Sequence, residues 1–151
     1  MENQDLLNDP MILREIIMDH YKYPHNHSLV SSTAYRSRHM ASASCIDDIT
    51  VEAKINDGVI EDIRFDGIAC TISTASTSIM TELLRGKTTE EAKEIIANYF
   101  SMVDGLEYNA DLLEEAVAMK NVYKQANRIK CATIGWRAID QIIKESEESN
   151  G

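Results

Sequence analysis

Long apolar runs are missing from this 151-residue chain, and no stretch approaches the roughly 20 residues that a membrane-spanning helix needs. Clustered positive charge is missing too. Fifteen Lys and Arg stand against 25 Asp and Glu, a formal charge of −10. Phosphate backbones are bound by grouped Lys and Arg, so nucleic acid is not an expected partner. An acidic surface suits a soluble protein that docks on other proteins. The opening Met1-Glu2-Asn3-Gln4-Asp5 has no positive segment leading into an apolar one, so no export signal is expected. No phosphate loop, Gly-x-Gly-x-x-Gly or Ser/His/Asp order is legible, and no repeat or Gly/Ser linker divides the chain. The expected organisation is one domain over residues 1–151, long enough for a sizeable core.

Cysteine is scarce and odd in number. Cys45, Cys70 and Cys131 are widely spaced, which makes a poor disulfide framework. Unpaired thiols fit a reducing cytoplasm. No Cys-x-x-Cys knuckle is present.

What the chain does contain is local structural signal. Asp9-Pro10 reads as an N-cap and first helical residue, and Ile12, Leu13, Ile16 and Ile17 carry a helix to about Tyr21, ended by Pro24. Residues His25 to Ser44 read as loop, with one short strand near Thr33–His39. Ile49, Val51, Ala53 and Ile55 alternate with Thr50, Glu52 and Lys54, which predicts a strand with one buried and one wet face. Asn56-Asp57-Gly58 turns the chain into a return strand over Val59–Phe65, closed by Asp66-Gly67.

A Ser/Thr-rich helix follows over Thr71–Arg85, with Ile72, Ala75, Ile79, Met80, Leu83 and Leu84 as its apolar face. Small side chains elsewhere on it allow close packing. Thr88 and Glu91 form a capping box for a helix to about Met102. Gly105 breaks that helix, and Asn109 caps a short one through Met119. A last helix over Cys131–Lys144 presents Ile134, Ala138, Ile139, Ile142 and Ile143 on one face. Residues 1–8 and the acidic tail 145–151 are expected to be disordered. The fold class is α+β, a small antiparallel sheet with helices packed on one side.

Each cysteine falls at an expected boundary: Cys45 in a loop before a strand, Cys70 and Cys131 at helix starts. A buried cysteine is often only a small hydrophobe. At a helix start, however, unpaired N–H groups and the helix dipole favour a thiolate. Arg128 and Lys130 add positive charge beside Cys131. Three thiolates and Asp47 could complete a four-coordinate Cys3Asp zinc site. Metal ligation and reactive-thiol chemistry both remain open on these residues alone. Asp47 and Asp48 point to opposite sides of a strand, so they form no acid–base pair. His20, His25, His27 and His39 read as solvated loop histidines, and Trp136 as a packing residue.

The same residues carry a family resemblance. Ile17-Met18-Asp19-His20-Tyr21-Lys22-Tyr23-Pro24-His25-Asn26, Cys45-Ile46-Asp47, Phe65-Asp66-Gly67-Ile68-Ala69-Cys70-Thr71-Ile72-Ser73 and Arg128-Ile129-Lys130-Cys131-Ala132-Thr133 resemble the U-type iron–sulfur cluster assembly proteins, the IscU, SufU and NifU N-terminal family. Lys130, where IscU proteins have histidine, and the long segment from about Phe100 to Lys124 resemble the SufU branch. The chain departs from the family at Ile46, where glycine is usual. The resemblance implies zinc held by Cys45, Asp47, Cys70 and Cys131, with Cys45 accepting persulfide sulfur from a SufS-type cysteine desulfurase and Arg128 supporting the site. It implies downstream iron–sulfur assembly proteins as further partners. The alternatives are a scaffold that assembles an iron or [2Fe–2S] centre on the same residues, and a structural zinc or thiol-bearing module.

Overall fold

The computed structural model describes residues 6–42 and 46–150, with Asn150 in backbone only. Helix α1 spans Pro10–Lys22. The Asp9 carboxylate accepts the Met11 N–H at 2.9 Å, and Pro10 occupies the first turn, where its missing N–H costs nothing. The chain leaves the helix at Tyr23, ahead of Pro24. Strands β1 (Arg36–Ala41), β2 (Asp48–Asn56) and β3 (Val59–Ile68) form an antiparallel sheet in that order. Helices α2 (Thr71–Leu84), α3 (Thr89–Val103) and α4 (Ala110–Leu113) follow, then two 3-10 turns, Glu114–Met119 and Val122–Lys124, and α5 (Ala126–Asn150).

Helix α2 lies against β3, and α5 lies against β1 and β2, the expected α+β layering. Ile49, Val51, Ala53, Ile63 and Phe65 are buried in this layer. Across the other face runs the loop from Pro24 to Tyr35. Its Asn26 carbonyl accepts the Phe65 N–H, and Ser28 accepts from Arg64. Here one expectation fails. Glu52, placed on the wet face by alternation, is buried because the Val30 and Ser31 amides donate to its carboxylate. The loop supplies donors that compensate for lost water.

Strand β3 also outlasts its expected end at Phe65. Asp66 pairs with Thr50 and Gly67 with Ile49, so pairing continues to Ile68. Gly67 sits at φ +133°, and a Cβ there would lie 2.2 Å from the Asp48 carbonyl oxygen. This glycine permits close approach of two strands and is not a turn signal.

The core of the bundle is α2, buried at 11 of its 14 residues. Its small hydroxyl face admits α5. Ser76 donates to the Ala132 carbonyl at 2.6 Å and accepts from Trp136 Nε1 at 3.1 Å. Trp136 stacks on Tyr99, with centroids 3.8 Å apart, and is a packing residue as expected. Gly135 meets Thr77 so closely that a Cβ would lie 2.4 Å from Thr77 Oγ1. The capping box is present: Thr88 accepts from the Glu91 amide, and Glu91 accepts from the Thr88 amide.

Helix α5 differs from expectation at both ends. It begins at Ala126, and its first three residues are exposed, so they carry no apolar period to signal the start. At the other end, residues 145–150 continue the helix where disorder was expected. Glu145 pairs with Arg36 and Arg38, Glu147 pairs with Lys93 at 2.8 Å, and Ser146 is buried. At the N-terminus, Leu7 packs against the core. Between α3 and α5, Asn109 caps α4 as expected, but Glu114 at φ +46° ends that helix after one turn, and the segment to Met119 is 3-10.

Candidate metal centre

Three of the four expected ligands converge. Asp47, Cys70 and Cys131 offer ligand atoms that all lie within 4.8 Å of one another. Cys45 lies outside the described residues.

Asp47 immediately precedes β2. Its carbonyl accepts the Ser42 N–H at 2.9 Å, which closes the connection between β1 and β2. Its side chain is turned inward, 2% exposed, while Asp48 faces out and pairs with His39 at 2.6 Å. The strand period alone predicts this split. Cys70 is the N-cap of α2, with an extended backbone at φ −70° and ψ 172°, and its sulfur accepts the Ser73 N–H at 3.4 Å. The Ser73 amide in the first turn of α2 therefore faces this thiol, which stands at the helix start as expected.

Cys131 is a correction. Because α5 starts at Ala126, Cys131 sits in its second turn, 3% exposed, and has no helix start of its own. What brings it to Cys70 is the tight crossing of α2 and α5 at Ser76–Ala132 and Thr77–Gly135, which lies C-terminal to both cysteines on their helices. Arg128 and Lys130 are exposed in the preceding turn of α5. Ile46 is 65% exposed beside the centre.

Two residues were missed by reading the sequence. Ser73, fully buried, donates from its hydroxyl to Asp47 Oδ2 and lies 3.3 Å from Cys70 Sγ. Its only sequence signal is its place in the first turn behind an N-cap. The second is His20, expected to be solvated but 5% exposed. Its Nε2 donates to Glu115 at 3.2 Å, and its Nδ1 lies 2.7 Å from the Ser78 hydroxyl. This bond holds Glu115 below the ordinary carboxylate range, against its partial burial. The other three histidines each pair with an exposed carboxylate: His25 with Glu82, His27 with Asp66, and His39 with Asp48.

The donor set is two thiols and one carboxylate, held on three separate elements. That chemistry suits a borderline-soft divalent ion such as zinc. A metal ion here would meet a buried carboxylate turned toward two buried or half-buried sulfurs. Among the described residues, no helix is long and apolar enough to cross a membrane.

The family model described as the NifU-like N terminal domain matches residues 12–150. The zinc-dependent sulfurtransferase SufU of Bacillus subtilis is 34% identical over 140 residues, covering 92% of this chain and 94% of that protein. The iron–sulfur cluster assembly scaffold protein IscU of Streptococcus pyogenes is 39% identical over 132 residues, covering 87% and 82%. A crystal structure titled as a putative iron–sulfur cluster assembly scaffold protein for the SUF system, from Fervidobacterium islandicum, superposes with a TM-score of 0.76 at 30% identity, covering 83% of this chain and 92% of that one.

Proposed function

This chain belongs to the NifU-like N-terminal domain family of iron–sulfur cluster assembly proteins, and on that premise we propose that it is a zinc-dependent acceptor of persulfide sulfur from a SufS-type cysteine desulfurase. The observation that carries this reading is the convergence of Asp47, Cys70 and Cys131 on one point. With Cys45 they make a Cys3Asp ligand set. Similarity over nearly the whole length of a relative named as a zinc-dependent sulfurtransferase supports zinc.

When bound, zinc supplies redox-inert charge that keeps thiols deprotonated. The chain's own residues divide the remaining work. Asp47, Cys70 and Cys131 form the fixed part of the centre. Cys45 is the acceptor: its thiolate attacks the terminal sulfur of the desulfurase persulfide, a new Cys45 S–S bond forms, the desulfurase S–S bond breaks, and the desulfurase cysteine leaves as a thiolate. Arg128, exposed one turn from Cys131, supplies positive charge where the anionic persulfide arrives. The sulfur then passes to downstream iron–sulfur assembly proteins.

A second reading is a scaffold that builds a [2Fe–2S] centre on the same residues, favoured by the similarity to the streptococcal scaffold protein. The deciding experiment is cysteine turnover by a purified SufS-type desulfurase with and without this protein, before and after chelator treatment, alongside metal analysis of anaerobically purified protein. One zinc per chain, no colour, and chelator-sensitive stimulation are expected. Coloured protein holding iron and sulfide, without stimulation, overturns the acceptor reading in favour of the scaffold.

A further inference from the structure

We propose that Ser73 is a positioning residue of the metal centre, acting through Asp47. This inference rests on the metal-binding reading above and deepens it. The observations are geometric. Among the described residues Asp47 holds the one carboxylate of the converging set, and its two oxygens are held differently. Oδ1 accepts the Cys70 N–H at 2.8 Å, a bond made by main chain that any residue at position 70 would supply. Oδ2 accepts the Ser73 hydroxyl, a bond that exists only because residue 73 carries an oxygen. That same hydroxyl oxygen lies 3.3 Å from Cys70 Sγ, and the Ser73 N–H donates to the sulfur at 3.4 Å. Ser73 thus touches two of the three converging ligands from a fully buried place in the first turn of α2.

These bonds have a direct consequence for the carboxylate. A carboxylate free to rotate about its χ2 torsion presents its lone pairs in a broad range of directions. Bonded at both oxygens, Asp47 is held in one orientation. The hydroxyl also gives the buried carboxylate a hydrogen-bond partner in place of lost water. Outer residues that fix a ligand in this way set metal affinity nearly as strongly as some ligands do. An alanine at 73 would keep the amide bond from position 73 to the Cys70 sulfur and the Asp47 Oδ1 bond, and would remove the hydroxyl from both Asp47 Oδ2 and Cys70 Sγ; the Asp47→Ala background separates the part that acts through Asp47.

Zinc affinity, measured by competition with a chromophoric chelator, tests this in a double-mutant cycle of wild type, Ser73→Ala, Asp47→Ala and the double variant. Ser73→Ala is expected to weaken zinc about 10- to 100-fold, the range for such supporting residues. On the Asp47→Ala background the same change should alter affinity by no more than about twofold, the scatter of uncoupled sites. Ser73→Thr, which keeps the hydroxyl, should restore most of the wild-type affinity. An unchanged affinity in Ser73→Ala, an equal loss on both backgrounds, or a Thr variant as weak as the Ala variant would each overturn the inference alone. A wild-type protein that takes up no zinc would overturn the metal reading along with it.

Discussion

The amide of Cys70 donates a 2.8 Å hydrogen bond to Oδ1 of Asp47, joining the start of α2 to the residue ahead of β2, 23 positions earlier. This bond ties two candidate ligands on different elements into one unit. It also makes the position of Asp47 depend on how β3 delivers the chain to α2, since β2 and β3 remain paired up to Asp48 and Ile68.

The ligand set predicts distinct metal-binding losses. Cys70→Ser and Cys131→Ser should each abolish tight zinc binding, because each removes a thiolate from a four-ligand set. Asp47→Ala should weaken binding, while Asp48→Ala, altering an exposed pair with His39, should leave it near wild type. Zinc stoichiometry after exhaustive dialysis reads all four variants. A full zinc equivalent in either serine variant, or a larger loss in Asp48→Ala than in Asp47→Ala, contradicts the assignment.

Sulfur acceptance should map to Cys45. Cys131 is 3% exposed within a helix, which denies a partner's persulfide access to it. Cys70 is engaged at the start of α2, where its sulfur accepts the Ser73 N–H at 3.4 Å and lies 3.3 Å from the Ser73 hydroxyl. After incubation with desulfurase and cysteine, then alkylation and digestion, a mass increase of about 32 Da, one added sulfur, should appear on the Cys45 peptide. It should vanish in Cys45→Ser. Label that persists in that variant would place the acceptor elsewhere.

Gly67→Ala should disturb the centre without touching a ligand. Its φ of +133° and the 2.2 Å approach of a Cβ to the Asp48 carbonyl force β2 and β3 apart beside Asp47. We expect a stability loss of about 1–3 kcal/mol, the cost of a disallowed backbone conformation, together with weaker zinc binding. Urea unfolding of metal-free protein and zinc competition measure the two effects. Wild-type values in both would show that the strands separate there without consequence.

Acid should release the segment between α3 and α5 through Glu115. Its folded pKa is lowered from 4.5 by the hydrogen bond from His20. A lowered carboxylate contributes stability that is fully present above the unfolded value and lost as pH falls through the folded one. Below about pH 4.5, therefore, the wild type should lose stability more steeply than Glu115→Gln, whose side chain does not titrate. Thermal melts across that range test the difference, and parallel curves would remove Glu115 from the acid response.

Some of this protein is written in short stretches of sequence. The Asp9–Pro10 cap, the Thr88–Glu91 capping box, the hairpin turn, the apolar faces of α2 and α5, and the opposite facing of Asp47 and Asp48 each depend on a few adjacent residues. Local geometry therefore decides them, and so does the pattern of motifs around Cys45, Cys70 and Cys131 that marks the family. Other features were settled only by the folded chain. Glu52 is buried because a loop 21 and 22 residues away brings amides to it, and His20 is buried because Ser78 and Glu115 meet it from 58 and 95 residues away. The last turns of α5 persist because Arg36, Arg38 and Lys93 pair with its acidic residues. The depth of Cys131 follows from how closely Gly135 lets α5 approach Thr77. Polar burial needs a partner to offset lost hydration, and in each of these cases the partner stands too far along the chain for any local pattern to announce it.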